Sequence, residues 1–288
     1  MTTSNVDVAA SFIDRVKNLP PAPTIAAELL GLFSDPDRDL DRIVELIRHD
    51  PSLTAEVLKQ CNSAVFGRGD PATDVFEAVS RLGFYEVYCQ VLALVGSRAL
   101  AIGRKGPLDS GKLWRHAVTT AVAAGEIAKR INDEQPIAFT AGLLHDSGKL
   151  IFAASEPDSY RLIIEEVGDC GGALVEKELE YFSITHAAVG ARLMTKWGMP
   201  PSVAFGVWYH HDSPKVAAPA ERMGAIINLG NLLAHRVTDA GAATLDVAAV
   251  GAEALDILEL TPDDIESLRE ETENGLIKVE AMLSLAPA

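Results

Sequence analysis

The spacing of apolar residues constrains the fold of this chain more than any other feature. Apolar side chains recur at intervals of three and four residues along nearly the whole sequence, which places them on one face of an α-helix. Three such faces are Ile25–Leu29–Leu32–Phe33, Ile43–Leu46–Ile47 and Leu53–Val57–Cys61. No sustained run alternates β-branched with polar residues, as a half-buried strand would. The sequence therefore predicts an all-α protein without a substantial sheet.

Two helix starts can be predicted from capping residues. Asp50 precedes Pro51, which suits an N-cap followed by proline at the first helical position. Thr261 precedes Pro262-Asp263-Asp264, with two acids near the positive end of the helix dipole. We expect helices to begin at both prolines and the C-terminal one to pack back on the core.

Composition limits the partners and the compartment. The chain has 288 residues, 48% hydrophobic and 23% charged, as in soluble globular proteins. A net charge of −16 opposes binding to nucleic acid or an anionic membrane, although a local basic pocket could hold a small phosphorylated ligand. Three widely spaced cysteines form neither a zinc motif nor a disulfide framework, and no apolar stretch approaches the roughly 20 residues of a membrane span. Since no signal peptide begins the sequence, we expect a cytoplasmic protein.

The segment Ala141–Lys149 holds the clearest candidate for chemistry. His145 and Asp146 stand side by side, and their imidazole nitrogen and carboxylate oxygen suit iron, manganese, zinc or magnesium. A lone histidine on an apolar helix is more often a buried core group than a ligand. For this pair that interpretation is weaker, because burying a carboxylate without a cation costs on the order of several kcal/mol.

Other histidines and one lysine accompany this pair. His116, His186, His210 and His211 lie in other helical segments and are further candidate ligands. Lys149 could hold a phosphate, or it could be a surface lysine or a salt-bridge partner of Asp146. His49 and His235 have no partner motif, so we expect them in surface or capping roles.

Taken together, these segments resemble the HDOD domain, a bacterial signalling module related to the HD superfamily of metal-dependent phosphohydrolases. The resemblance covers roughly residues 12–236. It implies an N-terminal helical lobe packed on an HD-type helical lobe. We place the first lobe at residues 12–105 and the second at 106–236, and we expect residues 237–288 to form a C-terminal helical extension. The motifs that carry it are Leu19–Pro23, Ile47–Thr54, Cys61–Gly67, Ala78–Gly83 and the string His116, His145-Asp146, Lys149, His186 and His210-His211.

The resemblance also implies a metal site, and the sequence departs from it at two places. Enzymes of the HD superfamily keep a final aspartate among the ligands, and Asn231 stands at that position here. A neutral amide oxygen removes one negative charge and one carboxylate that could orient or deprotonate a metal-bound water. The related HD-GYP phosphodiesterases continue from their paired histidines into a Gly-Tyr-Pro loop. The continuation here is Asp212-Ser213-Pro214, so cyclic dinucleotide hydrolysis is not supported.

Three hypotheses for function stay open. The favoured one is a non-catalytic or weakly catalytic signal-transduction module that docks to another signalling protein. Its HD-like pocket would hold one or two ions of iron, manganese, zinc or magnesium, or none. The alternative is a metal-dependent phosphohydrolase acting on a nucleotide or other phosphoester, with Asp146 and Lys149 as catalytic candidates and Lys149 on the phosphate. The third is a helical adaptor without a ligand. The predicted metal ligands are His116, His145, Asp146, His186, His210, His211 and Asn231.

Overall fold

A computed structural model describes residues 3–16, 24–33, 40–63, 66–67, 70–100, 106–211, 220–238, 246–247 and 251–284. These residues form helices and no strand, which confirms the all-α prediction. The sequence predictions also concern residues 19–23, 101–105 and 212–214, which lie outside the described parts. In chain order the helices are α1 (Thr3–Arg15), α2 (Thr24–Phe33), α3 (Leu40–Arg48), α4 (Pro51–Cys61), α5 (Val75–Leu82), α6 (Phe84–Leu100), α7 (Ser110–Arg130), α8 (Gln135–Leu144), α9 (Ser147–Ser155), α10 (Pro157–Val167), α11 (Gly171–Phe182), α12 (His186–Lys196), α13 (Pro201–Tyr209), α14 (Ala220–Thr238), α15 (Ala252–Leu258) and α16 (Pro262–Ser284).

Both predicted capping sites are present. Oδ1 of Asp50 accepts hydrogen bonds from the backbone N–H groups of Ser52 and Leu53, at 2.8 and 3.2 Å. Oδ2 of Asp264 accepts from the backbone N–H and the hydroxyl of Thr261, at 2.9 and 2.7 Å. These bonds satisfy groups that have no partner within the helix, so α4 and α16 begin at Pro51 and Pro262 as predicted.

Helix α7 is the centre of the fold, and α8 and α14 pack directly on it. Its buried face is rich in small residues, which lets the neighbouring backbones come close. A Cβ atom at Gly142 of α8 would lie 2.8 Å from the Cα atom of Ala121, and one at Gly230 of α14 would lie 3.2 Å from the nitrogen of Ala124. Helices α9, α12 and α13 complete the helical group around α7, and α12 lies between α9 and α13.

Helix α1 packs on the second half of the chain although it comes first in the sequence. It contacts α9 and α12, and the ring of Phe12 lies edge-on to Phe152 with centroids 5.0 Å apart. Lys196 of α12 forms an ion pair of 2.8 Å with Asp14. Helices α3 to α5 pack mainly on one another, and α6 joins them to α8. The lobe limits derived from the sequence stay a prediction.

The C-terminal helices α15 and α16 pack on α14 and α7, as expected. Helix α15 packs on α14, and α16 packs on α7 with further contacts to α14 and α6. The Arg130 guanidinium of α7 bonds to Asp264 at 3.0 Å and to Glu271 at 2.7 Å. Among the described residues, no helix is both long enough and apolar enough to cross a bilayer.

Candidate metal centre

The predicted ligands come together because most of them stand at helix ends. His145 follows the last residue of α8, Asp146 precedes α9, and His186 is the first residue of α12. His210 and His211 follow α13, whereas His116 lies inside α7. His145, Asp146, His186 and His210 are buried; His116 and His211 are partly buried.

Gly148 allows two of these helix ends to meet. A Cβ atom at this position would lie 1.9 Å from the carbonyl oxygen of His186, closer than any side chain tolerates. Only glycine therefore lets the first turn of α9 lie against the start of α12. The His145-Asp146 pair and His186 owe their proximity to this contact.

Three histidines form the first half of the centre. The Nε2 atom of His186 lies 2.9 Å from Nε2 of His211 and 3.3 Å from Nε2 of His210. Candidate ligand atoms of all three residues lie within 4.8 Å of one another. We call His186, His210 and His211 the three-histidine set.

His116, His145 and Asp146 form the second half, and Asp146 joins the two halves. Ligand atoms of these three residues also lie within 4.8 Å of one another. Oδ1 of Asp146 lies 3.4 Å from Nε2 of His186 and 3.8 Å from Nε2 of His210, while Oδ2 lies 3.3 Å from Nε2 of His145. The carboxylate therefore faces histidines of both halves.

Hydrogen bonds at Nδ1 orient three of the imidazole rings. Nδ1 of His145 donates to the carbonyl oxygen of Gly142, and Nδ1 of His210 donates to that of Val207, each at 2.7 Å. Nδ1 of His186 lies 2.7 Å from Oε2 of Glu178. Because a carbonyl oxygen can only accept, Nδ1 of His145 and Nδ1 of His210 each carry a proton, which leaves Nε2 as the atom of each ring that would bind a metal. Metal-binding histidines are held in the same way.

Several buried polar atoms of the centre lack a hydrogen bond, as expected where a cation would bind. Nε2 of His145, Oδ1 of Asp146 and Oδ1 of Asn231 are buried and form no hydrogen bond with any described residue. An unsatisfied buried acceptor is costly, and acceptors facing one another repel. A divalent ion held by His145 and Asp146 would satisfy the first two of these atoms, so the residues present fit a metal site.

The electrostatic environment keeps most of the ligands in the metal-binding form. Burial lowers the pKa values of His116, His210 and His211 well below the ordinary value, and the neighbouring imidazoles add to the shift. Burial alone would raise the pKa of Asp146, but His145 and the Lys149 ammonium outweigh it and hold that pKa well below its usual range.

His186 is the exception. Burial would lower its pKa, but the carboxylates of Glu178 and Asp146 outweigh that effect and raise it. A cation is thus favoured at this ring, whether a proton or a metal ion.

Asn231 lies on the face of α14 that contacts the centre. Three residues before it, Nδ2 of Asn228 donates to the carbonyl oxygen of His210 at 2.9 Å. Four residues after it, the His235 ring lies against His116 with centroids 4.4 Å apart. Residues at these spacings share one helix face, so the buried Asn231 side chain lies between two contacts with the centre.

Lys149 is buried and paired. Its Nζ atom donates to Oδ2 of Asp146 at 2.8 Å and to the carbonyl oxygen of Asp169 at 2.9 Å. Of the roles that the sequence left open, the structure shows the salt bridge with Asp146, and a surface position is ruled out. Lys149 also borders a cavity of about 360 Å³, lined by Lys112, Leu113, Arg115, His116, Asp146, Lys149, Asp169, Cys170, His235 and Thr238.

Sequence reasoning missed two residues of this region. His235 was expected at the surface or at a cap, yet it contacts His116, because α14 packs along α7. Glu178 is fully buried and bonds to His186. A signal existed for Glu178: it stands four residues after Leu174 and four before Phe182, in the apolar stripe of α11.

Several curated proteins share sequence with this chain. An uncharacterized protein of Treponema pallidum (strain Nichols) is 29% identical over 221 residues, which cover 76% of this chain and 42% of that protein. Ribonuclease Y of Geobacter sulfurreducens is 24% identical over 176 residues, which cover 61% of this chain and 27% of that protein. The chain thus spans less than half the length of these curated relatives.

Solved structures share the fold over nearly the whole chain. An HDOD domain protein of unknown function from Geobacter sulfurreducens has a TM-score of 0.74 at 22% identity, covering 98% of this chain and 99% of its own. A candidate phosphohydrolase from Shewanella amazonensis SB2B has a TM-score of 0.71 at 24% identity. The match covers 95% of this chain and 98% of that one. A candidate signal transduction protein from Marinobacter aquaeolei VT8 has a TM-score of 0.74 at 27% identity. The match covers 97% of this chain and 65% of that one.

The family assignment rests on a sequence profile. The HDOD domain profile matches residues 19–213, which is more than half of the chain. The match includes all predicted ligands except Asn231. This chain belongs to the HDOD domain family.

Proposed function

We propose that this chain is a regulatory signalling module whose centre binds a divalent metal ion and does not hydrolyse phosphoesters at an appreciable rate. The observation that carries the proposal is the buried Asn231 on the face of α14 that contacts the centre. The resemblance to the HD superfamily implies an aspartate at this position in the enzymes. Asp146 is then the one carboxylate among the predicted ligands.

The residues of the centre favour particular ions. Five imidazoles and one carboxylate suit zinc, iron or manganese better than magnesium, which prefers oxygen ligands. The proposed ligands are His116, His145, Asp146, His186, His210, His211 and the amide oxygen of Asn231. When bound, such an ion supplies Lewis acidity and lowers the pKa of a coordinated water.

Lys149 forms an ion pair with the Asp146 carboxylate and is not a ligand of the metal ion. Its ammonium holds Oδ2 of Asp146, which leaves Oδ1 facing His186 and His210. This arrangement keeps a buried carboxylate ionised. With Asn231 neutral, no second carboxylate is available among the proposed ligands to take a proton from water, so binding is supported better than hydrolysis.

The cavity beside the centre supports a small phosphorylated ligand as an input signal. Lys112 and Arg115 bring positive charge to one pocket of a chain whose net charge is −16, whereas the charge of Lys149 there is balanced by Asp146. Output would pass to another signalling protein. The likeness to ribonuclease Y does not extend this proposal to RNA, because the acidic chain offers little attraction to a phosphate backbone.

The same cavity favours the alternative, a metal-dependent phosphohydrolase. It places Lys112 and Arg115 beside His116 and Asp146, where a phosphoester could approach a metal ion. Arg115 is already paired with Glu280 at 2.9 Å, which reduces its availability.

The two functions can be separated with Mn²⁺-loaded protein and two chromogenic substrates, p-nitrophenyl phosphate and bis(p-nitrophenyl) phosphate. We expect wild-type protein to release nitrophenol no faster than His145→Ala. Asn231→Asp should bind Mn²⁺ on the order of tenfold more tightly, because it restores a charged ligand. Asn231→Ala serves as the control and should show no gain. A wild-type rate well above that of His145→Ala, lost in a folded Asp146→Ala variant, would establish the phosphohydrolase instead.

A further inference from the structure

A buried network behind the metal centre ends on His186. Tyr160 of α10, Glu178 of α11 and His186 of α12 are each fully buried. The Tyr160 hydroxyl donates to Oε1 of Glu178 at 2.9 Å. Oε2 of Glu178 lies 2.7 Å from both the backbone nitrogen and Nδ1 of His186. Both oxygens of the carboxylate are therefore engaged.

This carboxylate is too costly to be explained by packing alone. A fully buried carboxylate without a positive partner is strongly unfavourable, and an apolar residue would fill the same stripe of α11. Leu174, one turn earlier, shows what this face otherwise buries. The cost is offset if His186 binds a cation through Nε2 while Nδ1 stays bonded to Glu178.

His186 is anchored differently from the other oriented histidines. His145 and His210 bond through Nδ1 to backbone carbonyls, whereas the partner of His186 is a carboxylate. A carboxylate acceptor fixes the ring and makes the opposite nitrogen a stronger ligand than a carbonyl acceptor does. That opposite nitrogen, Nε2, faces His210, His211 and Asp146.

We propose that Glu178 is a positioning residue for the metal centre: it holds His186 so that Nε2 points into the three-histidine set and binds the ion there. Tyr160 supports Glu178 from behind. The inference rests on the proposed metal binding, and it makes the three-histidine set, with Oδ1 of Asp146, the better prepared half of the centre. The half next to Asn231 has a neutral amide in place of a charge.

Cobalt(II) is the probe for this proposal, because its visible absorption reports the type and geometry of the ligands. Wild type, Glu178→Gln and Glu176→Gln are titrated with Co²⁺ against a competing chelator, and their metal-free unfolding is measured in urea. Glu176 is an exposed glutamate two residues away on the same helix, so it controls for the loss of charge. We expect Glu178→Gln to bind Co²⁺ about 10- to 100-fold more weakly with an altered spectrum, and Glu176→Gln to match wild type.

The outcomes separate this inference from the proposed function. Wild-type protein that binds no Co²⁺ overturns both. Wild-type binding together with an unchanged affinity and spectrum in folded Glu178→Gln overturns the role of Glu178 and leaves metal binding standing. Should Glu178→Gln not fold, Tyr160→Phe takes its place, since it removes only the supporting hydroxyl. A several-fold weaker affinity then supports the inference, and wild-type affinity overturns it.

Discussion

The ion pair between Lys149 and Asp146 shows how much a single residue contributes to the centre. Both side chains are about 5% exposed, and their charged atoms are 2.8 Å apart. Removing one partner of a buried pair leaves the other charge uncompensated. We expect Lys149→Met to lower the free energy of unfolding of metal-free protein by about 3 kcal/mol, measured in urea at pH 7.

The matched control is Lys112→Met, since Lys112 borders the same cavity but is exposed. Its effect should stay within about 0.5 kcal/mol. The pH dependence gives a second check. The folded-state pKa of Asp146 is lowered, so its ionised form adds stability that is present above the ordinary aspartate pKa of about 3.9 and is lost as pH falls through the folded value. The difference between wild type and Lys149→Met should therefore shrink with acidification; a constant difference contradicts this account.

At the scale of helices, the contact between α9 and α12 decides whether the centre can form. Gly148→Ala places a methyl group against the carbonyl oxygen of His186, and both atoms belong to rigid helix ends. We expect a loss of several kcal/mol in unfolding free energy and weaker metal binding, since the helix ends must separate. Urea unfolding and a metal titration measure the two effects.

Gly172→Ala in α11 is the control for this substitution. A Cβ atom there meets nothing within 4 Å, so the change should be neutral or should stabilise by up to about 1 kcal/mol. Equal unfolding free energies for the two alanine variants would show that α9 and α12 can move apart without cost.

Helix positions and most of the candidate site could be predicted from the sequence because their signals are local. The caps at Asp50 and Thr261 can be predicted from neighbouring residues, and the histidines of interest other than His116 adjoin helix ends. The apolar stripe of α11 indicated that Glu178 is buried, but its contact with His186 is a tertiary contact that the sequence does not show. For the same reason the sequence did not show that α1 packs on α9 and α12, since tertiary contacts set that position.

At the scale of the whole molecule, a bound ion would join elements that are distant in the sequence. The proposed ligands come from α7, the α8–α9 junction, α12, the end of α13 and α14. An ion that binds only the folded chain stabilises it by about 2.7 kcal/mol at a free concentration 100 times the dissociation constant. Metal binding would therefore contribute both to the stability of the folded chain and to its proposed function.

The most direct test is the metal content of untagged protein purified without chelators, measured by mass spectrometry. We predict about one to two equivalents of zinc, iron or manganese in wild type and in His49→Ala, whose histidine is exposed and far along the chain from the proposed ligands. His145→Ala should lose most of this metal while keeping its helical circular dichroism spectrum. Folded wild-type protein that holds no metal, even after incubation with all three ions, would contradict the account.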